Sequence, residues 1–197
     1  MNIYFLSFFV GFFSLSLEIL WVNLISYSAG GAAGTFGAVL FLVLLGIGLG
    51  AKKAYRLCTQ KRSNEWLMNW MGQSLYKAGV VSFFSFPLSM ALTYLYKDLG
   101  FLIIIFFVVV SYYIGSVFPM LCHVAIEKSK QTGQKISYMY FANICGATLG
   151  PILTGYFFID FVRVDHILAI FSLILIIVSY QFFNVKKIKP VLIICMI

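Results

Sequence analysis

One acidic side chain, Glu18, lies inside a long apolar run near the start of the chain. A carboxylate at bilayer depth is costly, so it is expected to face other helices, to be protonated or to be paired. Ser7, Gly11 and Ser14 precede it at steps of three or four residues, which places all four on one helical face, and Trp21 continues that face. The pattern predicts either a carboxylate that binds a ligand or a proton in a cavity, or a structural carboxylate bonded to a neighbouring helix.

A second polar candidate, Asn143, lies beside a stripe of small residues formed by Ala142, Gly146 and Gly150. Pro151 follows this stripe and is expected to kink its helix, because proline removes a backbone hydrogen bond. Freed carbonyls and an amide side chain together can build a polar site in lipid, whereas tight helix packing alone is the competing interpretation. The predicted ligand-binding residues are Glu18, Ser14, Trp21 and Asn143.

No arrangement of residues typical of a catalytic or metal site accompanies these candidates. Cys122 and His123 are adjacent in sequence, so they do not face each other on a helix. The four cysteines form no CxxC pair, and we expect free thiols. The run 46–51 formally matches a dinucleotide-binding fingerprint, but it lies inside an apolar helix, where Gly46 and Gly50 favour close helix packing. The sequence therefore predicts a non-enzymatic chain without a metal or cofactor.

The composition indicates that lipid surrounds the chain. Of the 197 residues, 62% are hydrophobic and only 10% are charged. A soluble domain carries roughly 25% charged residues and could not hide this much apolar surface. Because the basic residues behind the net charge of +8 lie between apolar runs and form no single face, orientation in a membrane explains them better than nucleic-acid binding.

Continuous apolar runs predict an all-α integral membrane protein with a single domain over residues 1–189. The six predicted spans are residues 3–27, 34–54, 77–96, 99–126, 137–159 and 166–183. Residues from Glu65 onward are expected to form either a short amphipathic helix on the inner membrane face or an ordinary loop. The apolar tail 190–197 is too short to span and is expected to lie in the interface or on a partner.

Lysine and arginine positions predict the orientation. The connections on one side carry Lys52, Lys53, Arg56, Lys61, Arg62, Lys77, Lys128, Lys130, Lys135, Lys186, Lys187 and Lys189, whereas Lys97 and Arg163 fall on the other side. By the positive-inside rule, both termini should be cytoplasmic, in a cell inner (plasma) membrane. Asp160, Arg163 and Asp165 crowd the last outer connection, either as a solvated turn or as a gate.

Three stretches carry a family resemblance: residues 14–21 (SLSLEILW), residues 35–37 with 44–51 (TFG and LLGIGLGA), and residues 140–151 (YFANICGATLGP) with Gly155. In order and spacing they resemble the membrane domain of membrane-bound spermidine synthase-like proteins. One departure is Asn23, where an arginine would be expected. The resemblance implies a six-helix bundle like half of a major facilitator superfamily transporter. It also implies that relatives join this bundle to a soluble aminopropyltransferase domain, of which this sequence shows no glycine-rich strand–loop–helix.

The leading hypothesis is a membrane module that binds or transports a small solute, such as a polyamine or another cation, with Glu18 as the counter-charge. Because six helices leave little room for a path between two halves, a homo-oligomer or a hetero-complex is expected. The second hypothesis is a membrane anchor or scaffold subunit for a separately encoded soluble enzyme. The third is a membrane enzyme acting on a lipid substrate.

Overall fold

The computed structural model describes residues 3–29, 33–60, 62–95, 103–126 and 132–182, and every regular element among them is helical. The helices are α1 (Ile3–Ala29), α2 (Ala33–Thr59), α3 (Asn64–Leu95), α4 (Ile103–Ile126), α5 (Thr132–Phe161) and α6 (Val164–Tyr180). A π-helical turn, Thr154–Phe158, lies within α5. Lys61, Lys97, Lys128, Lys130, Lys186, Lys187, Lys189 and the predicted tail 190–197 lie outside the described residues.

Four of the described helices are long and apolar enough to cross a bilayer. These segments are Ile3–Ser26, Phe36–Thr59, Ile105–Ile126 and Thr132–Phe161. The apolar helix α6 is shorter, at 17 residues. The chain is therefore an all-α protein of membrane type over the residues described.

The third helix begins well before the predicted span 77–96. It starts at Asn64, so residues 64–76 form neither a separate interfacial helix nor a loop. Leu67, Met71 and Leu75 recur at every fourth position and are fully buried, which holds this first part of α3 against the bundle. An apolar stripe is thus continuous across a stretch whose polar residues, such as Gln73, suggested an interruption.

Three helix pairs organise the bundle: α1 packs on α5, α2 on α4, and α3 on α6, while α3 also packs along α4. Aromatic side chains link the pairs. The indole of Trp21 on α1 stacks on Phe107 of α4 with ring centroids 4.7 Å apart, and Phe13 meets Phe171 of α6 edge-on at 5.0 Å. These contacts join α1 to three other helices, so its residues lie at the centre of the bundle.

Glycines allow close backbone approach in the first two helix pairs. A side chain on Gly46 would collide with Val108 of α4, and one on Gly146 would collide with Phe8 of α1. One turn later, Gly50 meets the Tyr112 backbone in the same way. Small residues that let helix backbones touch are the usual packing device in lipid, where no hydrophobic force draws helices together.

The two glycine pairs belong to an internal repeat with a spacing of 100 residues. Helices α4, α5 and α6 begin 99 or 100 residues after α1, α2 and α3. Positions with the same residue in both halves include Val10 and Val110, Ser16 and Ser116, Gly46 and Gly146, Leu49 and Leu149, and Gly50 and Gly150. The helix pairing follows the same repeat. In it, α1 corresponds to α4 and α2 corresponds to α5, so the α1–α5 pair corresponds to the α4–α2 pair.

The contacts also fix the relative directions of the helices. Gly146 meets Phe8 and Phe12, and Gly150 meets Phe12 and Ser16, so α1 and α5 run parallel. In the α3–α6 pair the order is reversed. Gly72 lies near Ser179 and Gly79 lies near Ser172, so α3 and α6 are antiparallel. A shift of 100 residues converts each of these two contacts into the other.

Candidate functional site

Glu18 is a buried residue of the bundle, with 7% of the residue exposed. It makes no hydrogen bond or ion pair with any residue that the structure describes. The helical face that carries it meets two other helices, because Ser7 donates to the Met139 carbonyl of α5 at 2.6 Å and Trp21 stacks on α4. A buried acid with no partner is the arrangement expected of a site that receives a proton or a cation.

Trp21 lies one turn beyond Glu18 and is 1% exposed. Its indole Nε1 has no hydrogen-bond acceptor among the described residues, although a buried indole normally finds one. Ser14, one turn before Glu18, is half-buried. The structure thus keeps these three predicted residues on one face of α1, near the middle of the helix.

Thr154 of α5 lies level with Glu18, and sequence reasoning missed it. Four residues earlier, a Cβ on Gly150 would fall 2.6 Å from the Ser16 hydroxyl. One residue later, a Cβ on Gly155 would lie 3.9 Å from Ile19. Thr154 therefore faces the stretch 16–19 of α1, which contains Glu18.

The hydroxyl groups of Ser16 and Thr154 are both fully buried and have no partner among the described residues. Serine and threonine in helices usually bond to a carbonyl one turn back. Ser172 does so with Leu168 at 2.7 Å, and Thr148 with Ile144 at 2.9 Å. Ser82 on α3 is another buried hydroxyl without a partner. Ser16 lies two residues before Glu18 and so points to the other side of α1, which leaves Thr154 as the unpartnered hydroxyl at the level of the carboxylate.

The backbone of α5 is irregular next to Thr154. Pro151 has no N–H, so the Ala147 carbonyl lacks its usual donor four residues later. The helix then widens into the π-helical turn, which begins at Thr154 itself. Such turns occur often at functional sites, because they re-aim side chains and leave carbonyl oxygens available.

Asn143 lies away from the other predicted ligand residues. Its side-chain oxygen is buried against Gly11, where a Cβ would meet it at 2.9 Å, and has no partner among the described residues. Gly11 precedes Glu18 by seven residues, or about 10 Å along the helix axis. The predicted set of four residues therefore divides into a group near Glu18 and an isolated amide, because the parallel register of α1 and α5 places Thr154 where Asn143 was expected.

The described basic residues make no ion pair with Glu18, and all of them except the half-buried Lys135 are exposed. Lys52, Lys53 and Arg56 are exposed near the end of α2, and Lys77 is exposed with its ammonium 5.7 Å from the Tyr113 ring centre. Arg163 pairs with Asp165 through two hydrogen bonds of 3.2 and 3.1 Å in the connection before α6. The exposed Arg163 and the half-buried Asp165 thus pair at the start of α6, with no described contact to the Glu18 region.

Comparisons with known proteins add nothing to these contacts. No family model, curated protein or solved structure matches the chain. The described residues contain no group of three or more histidine, cysteine or acidic side chains that could hold a metal ion. The chemistry of the site therefore follows from Glu18 and the unpartnered polar atoms around it.

Proposed function

We propose that this chain is a six-pass membrane module that binds and moves a small cationic solute. Glu18 supplies the counter-charge within the bundle. The observation that carries the proposal is the burial of this carboxylate without a cationic or hydrogen-bonding partner among the described residues. A charge held in lipid at this cost is retained for function more often than for stability.

The helix directions support the six passes. In a chain that crosses a bilayer with every helix, α1 and α5 run the same way, as do α2 and α4, whereas α3 and α6 run in opposite ways. The glycine contacts have these directions in the α1–α5 and α3–α6 pairs. The second group of three helices then crosses the bilayer in the direction opposite to the first. Many transporters are built from such inverted repeats, and their ligands bind near the interface between the repeats.

The repeat of three helices supports an assembly of two such bundles, as does the transporter-like half bundle that the sequence resemblance implies. A single bundle has one inverted repeat, and a path between two halves then needs a second copy or a homologous partner. The exposed Lys52, Lys53 and Arg56 near the end of α2 support a cytoplasmic position for that end, in an inner membrane. Both termini are then cytoplasmic.

Calorimetry on the purified chain in detergent tests the proposal with spermidine, putrescine and Na⁺ as probes. We expect at least one of these cations to bind, and Glu18→Gln to abolish that binding while the variant still elutes as the folded protein. Glu65→Gln is the matched control, because Glu65 is exposed in the first turn of α3 and should leave binding unchanged. Equal binding by the wild type and Glu18→Gln, or binding of none of the three cations, would refute the proposal.

A second candidate function is that of an anchor for a separately encoded soluble enzyme. The observation that favours it is the exposed basic cluster Lys52, Lys53 and Arg56 near one end of α2. If the chain is such an anchor, it should co-purify with one soluble partner at a fixed ratio. Replacing the three basic residues by glutamine should then release that partner. Cation uptake by the purified chain alone favours transport over anchoring.

A further inference from the structure

We propose that the exposed face of α2 binds an anionic phospholipid of the inner leaflet, with the lipid phosphate held by Lys52 and Arg56. These two residues lie one turn apart on one side of the helix, and both are exposed. Phe41 and Leu45 lie on the same side, nearer the other end of α2, and are exposed as well. The face therefore changes from apolar side chains to positive charge, in the order of the acyl chain and headgroup of a lipid. This site is separate from Glu18 and goes beyond the proposed function.

The basic residues lie at the depth of a lipid headgroup. In the proposed layout α2 begins on the outer side, and Lys52 follows its first residue, Ala33, by about 28 Å along the helix axis. The hydrocarbon core of a bilayer is ~30 Å thick, so Lys52 reaches its inner boundary. Tyr55, which is 70% exposed, follows Lys52 by one turn, and tyrosine rings are enriched at the headgroup level.

The positive charge of this face has no counterpart within the described bundle. Helix α2 contains no acidic residue, and none of Lys52, Lys53 and Arg56 forms an ion pair with a residue that the structure describes. Like charges four residues apart on a helix repel each other. An anionic phosphate between Lys52 and Arg56 relieves this repulsion, and basic clusters at the cytoplasmic end of a spanning helix attract anionic lipids.

The face is also open between its apolar and basic parts. Gly48 lies one turn before Lys52, and no described residue of another helix lies within 4 Å of the Cβ that a side chain would add there. A phospholipid contacts both parts at once, with its acyl chain beside Leu45 and its phosphate beside Lys52. A soluble protein would reach the basic end alone, so the continuity of the face favours a lipid as the occupant.

Native mass spectrometry of the full chain in detergent tests the proposal, with dioleoyl phosphatidylglycerol as the probe and dioleoyl phosphatidylcholine as the zwitterionic control lipid. We expect the chain to retain phosphatidylglycerol at concentrations at which it releases phosphatidylcholine. Each basic residue near an anionic headgroup is worth about a fivefold change in affinity, so Lys52→Gln combined with Arg56→Gln should weaken phosphatidylglycerol binding about 25-fold. Glu18→Gln should bind this lipid as the wild type does, which separates this test from that of the proposed function.

The matched control combines Arg62→Gln with Lys77→Gln. It removes the same two charges from exposed residues outside α2, whose side chains lie over aromatic rings of α3 and α4. Its affinity for phosphatidylglycerol should stay within about twofold of the wild type, because separate sites are nearly additive. If the variant with both changes on α2 does not fold, Lys52→Gln and Arg56→Gln are measured singly, each with an expected loss of about fivefold.

Three results would overturn the inference. The first is equal retention of the two lipids by the wild type. The second is an equal loss of phosphatidylglycerol binding in the α2 variant and in the control, because net charge and not this face would then determine binding. The third is a soluble protein that co-purifies with the wild type and is released from the α2 variant, while the wild type retains no phosphatidylglycerol.

Discussion

Gly50 and Gly150 occupy equivalent positions in two helix pairs. Gly50 of α2 lies against Tyr112 of α4, and Gly150 of α5 lies against Phe12 of α1. The two glycines and their two partners are each separated by 100 residues. The same close backbone contact therefore occurs twice, once through a glycine of the first half of the chain and once through a glycine of the second half.

Replacing either glycine by alanine should destabilise the bundle. The new methyl group would meet a backbone carbonyl oxygen in each case, and a backbone cannot move aside as a flexible side chain can. Overpacking of this kind costs about 1–3 kcal/mol, which should be measurable by thermal unfolding in detergent.

Gly48→Ala is the control for these two variants. Gly48 lies on α2 between Gly46 and Gly50, but nothing lies within 4 Å of the Cβ that alanine would add. Its unfolding temperature should stay the same or rise, because alanine favours helix. If all three alanine variants lost stability equally, the proposed contacts of α2 and α5 would be wrong.

The six-pass layout predicts which residues are accessible from each side of the membrane. In a variant with the native cysteines replaced by serine, a cysteine at Arg62 or Lys135 should react with an impermeant maleimide from the cytoplasmic side. A cysteine at Arg163 should react from the outside, because it follows the fifth pass. Labelling of positions 62 and 163 from the same side would contradict the layout.

Asn143 should contribute little to ligand binding. It lies beside Gly11, two helical turns from Glu18. Because separate sites are nearly additive, Asn143→Ala should change cation affinity by less than about twofold, in contrast to Glu18→Gln. Calorimetry on the two variants makes the comparison, and a loss in Asn143→Ala as large as that in Glu18→Gln would show that the amide belongs to the binding site.

The sequence predicted the features that depend on one helix. The stripe of Ser7, Gly11 and Ser14 before Glu18 predicted a face turned inward, because helical periodicity alone determines which residues share a face. The helical residues of α3 before the predicted span were not recognised as part of the same helix, because the polar residues between the apolar positions of its first turns hid a continuous stripe.

The positions of Thr154 and Asn143 relative to Glu18 could not be predicted from the sequence, because they depend on how α5 is registered against α1. A threonine in an apolar helix usually bonds to its own backbone, so nothing in the sequence marked Thr154 as unpartnered. A signal for the repeat was present in the recurrence of Gly46, Leu49 and Gly50 after 100 residues.

Carbodiimide labelling tests the central claim most directly. N,N′-Dicyclohexylcarbodiimide is apolar and adds to a protonated carboxyl group, giving a stable N-acylurea that mass spectrometry locates. The purified chain should be labelled at Glu18, and either Na⁺ or spermidine at saturating concentration should suppress the labelling, whereas uncharged sucrose should not. Absence of label at Glu18, or labelling that neither cation reduces, would contradict the claim that this buried carboxylate binds a cation.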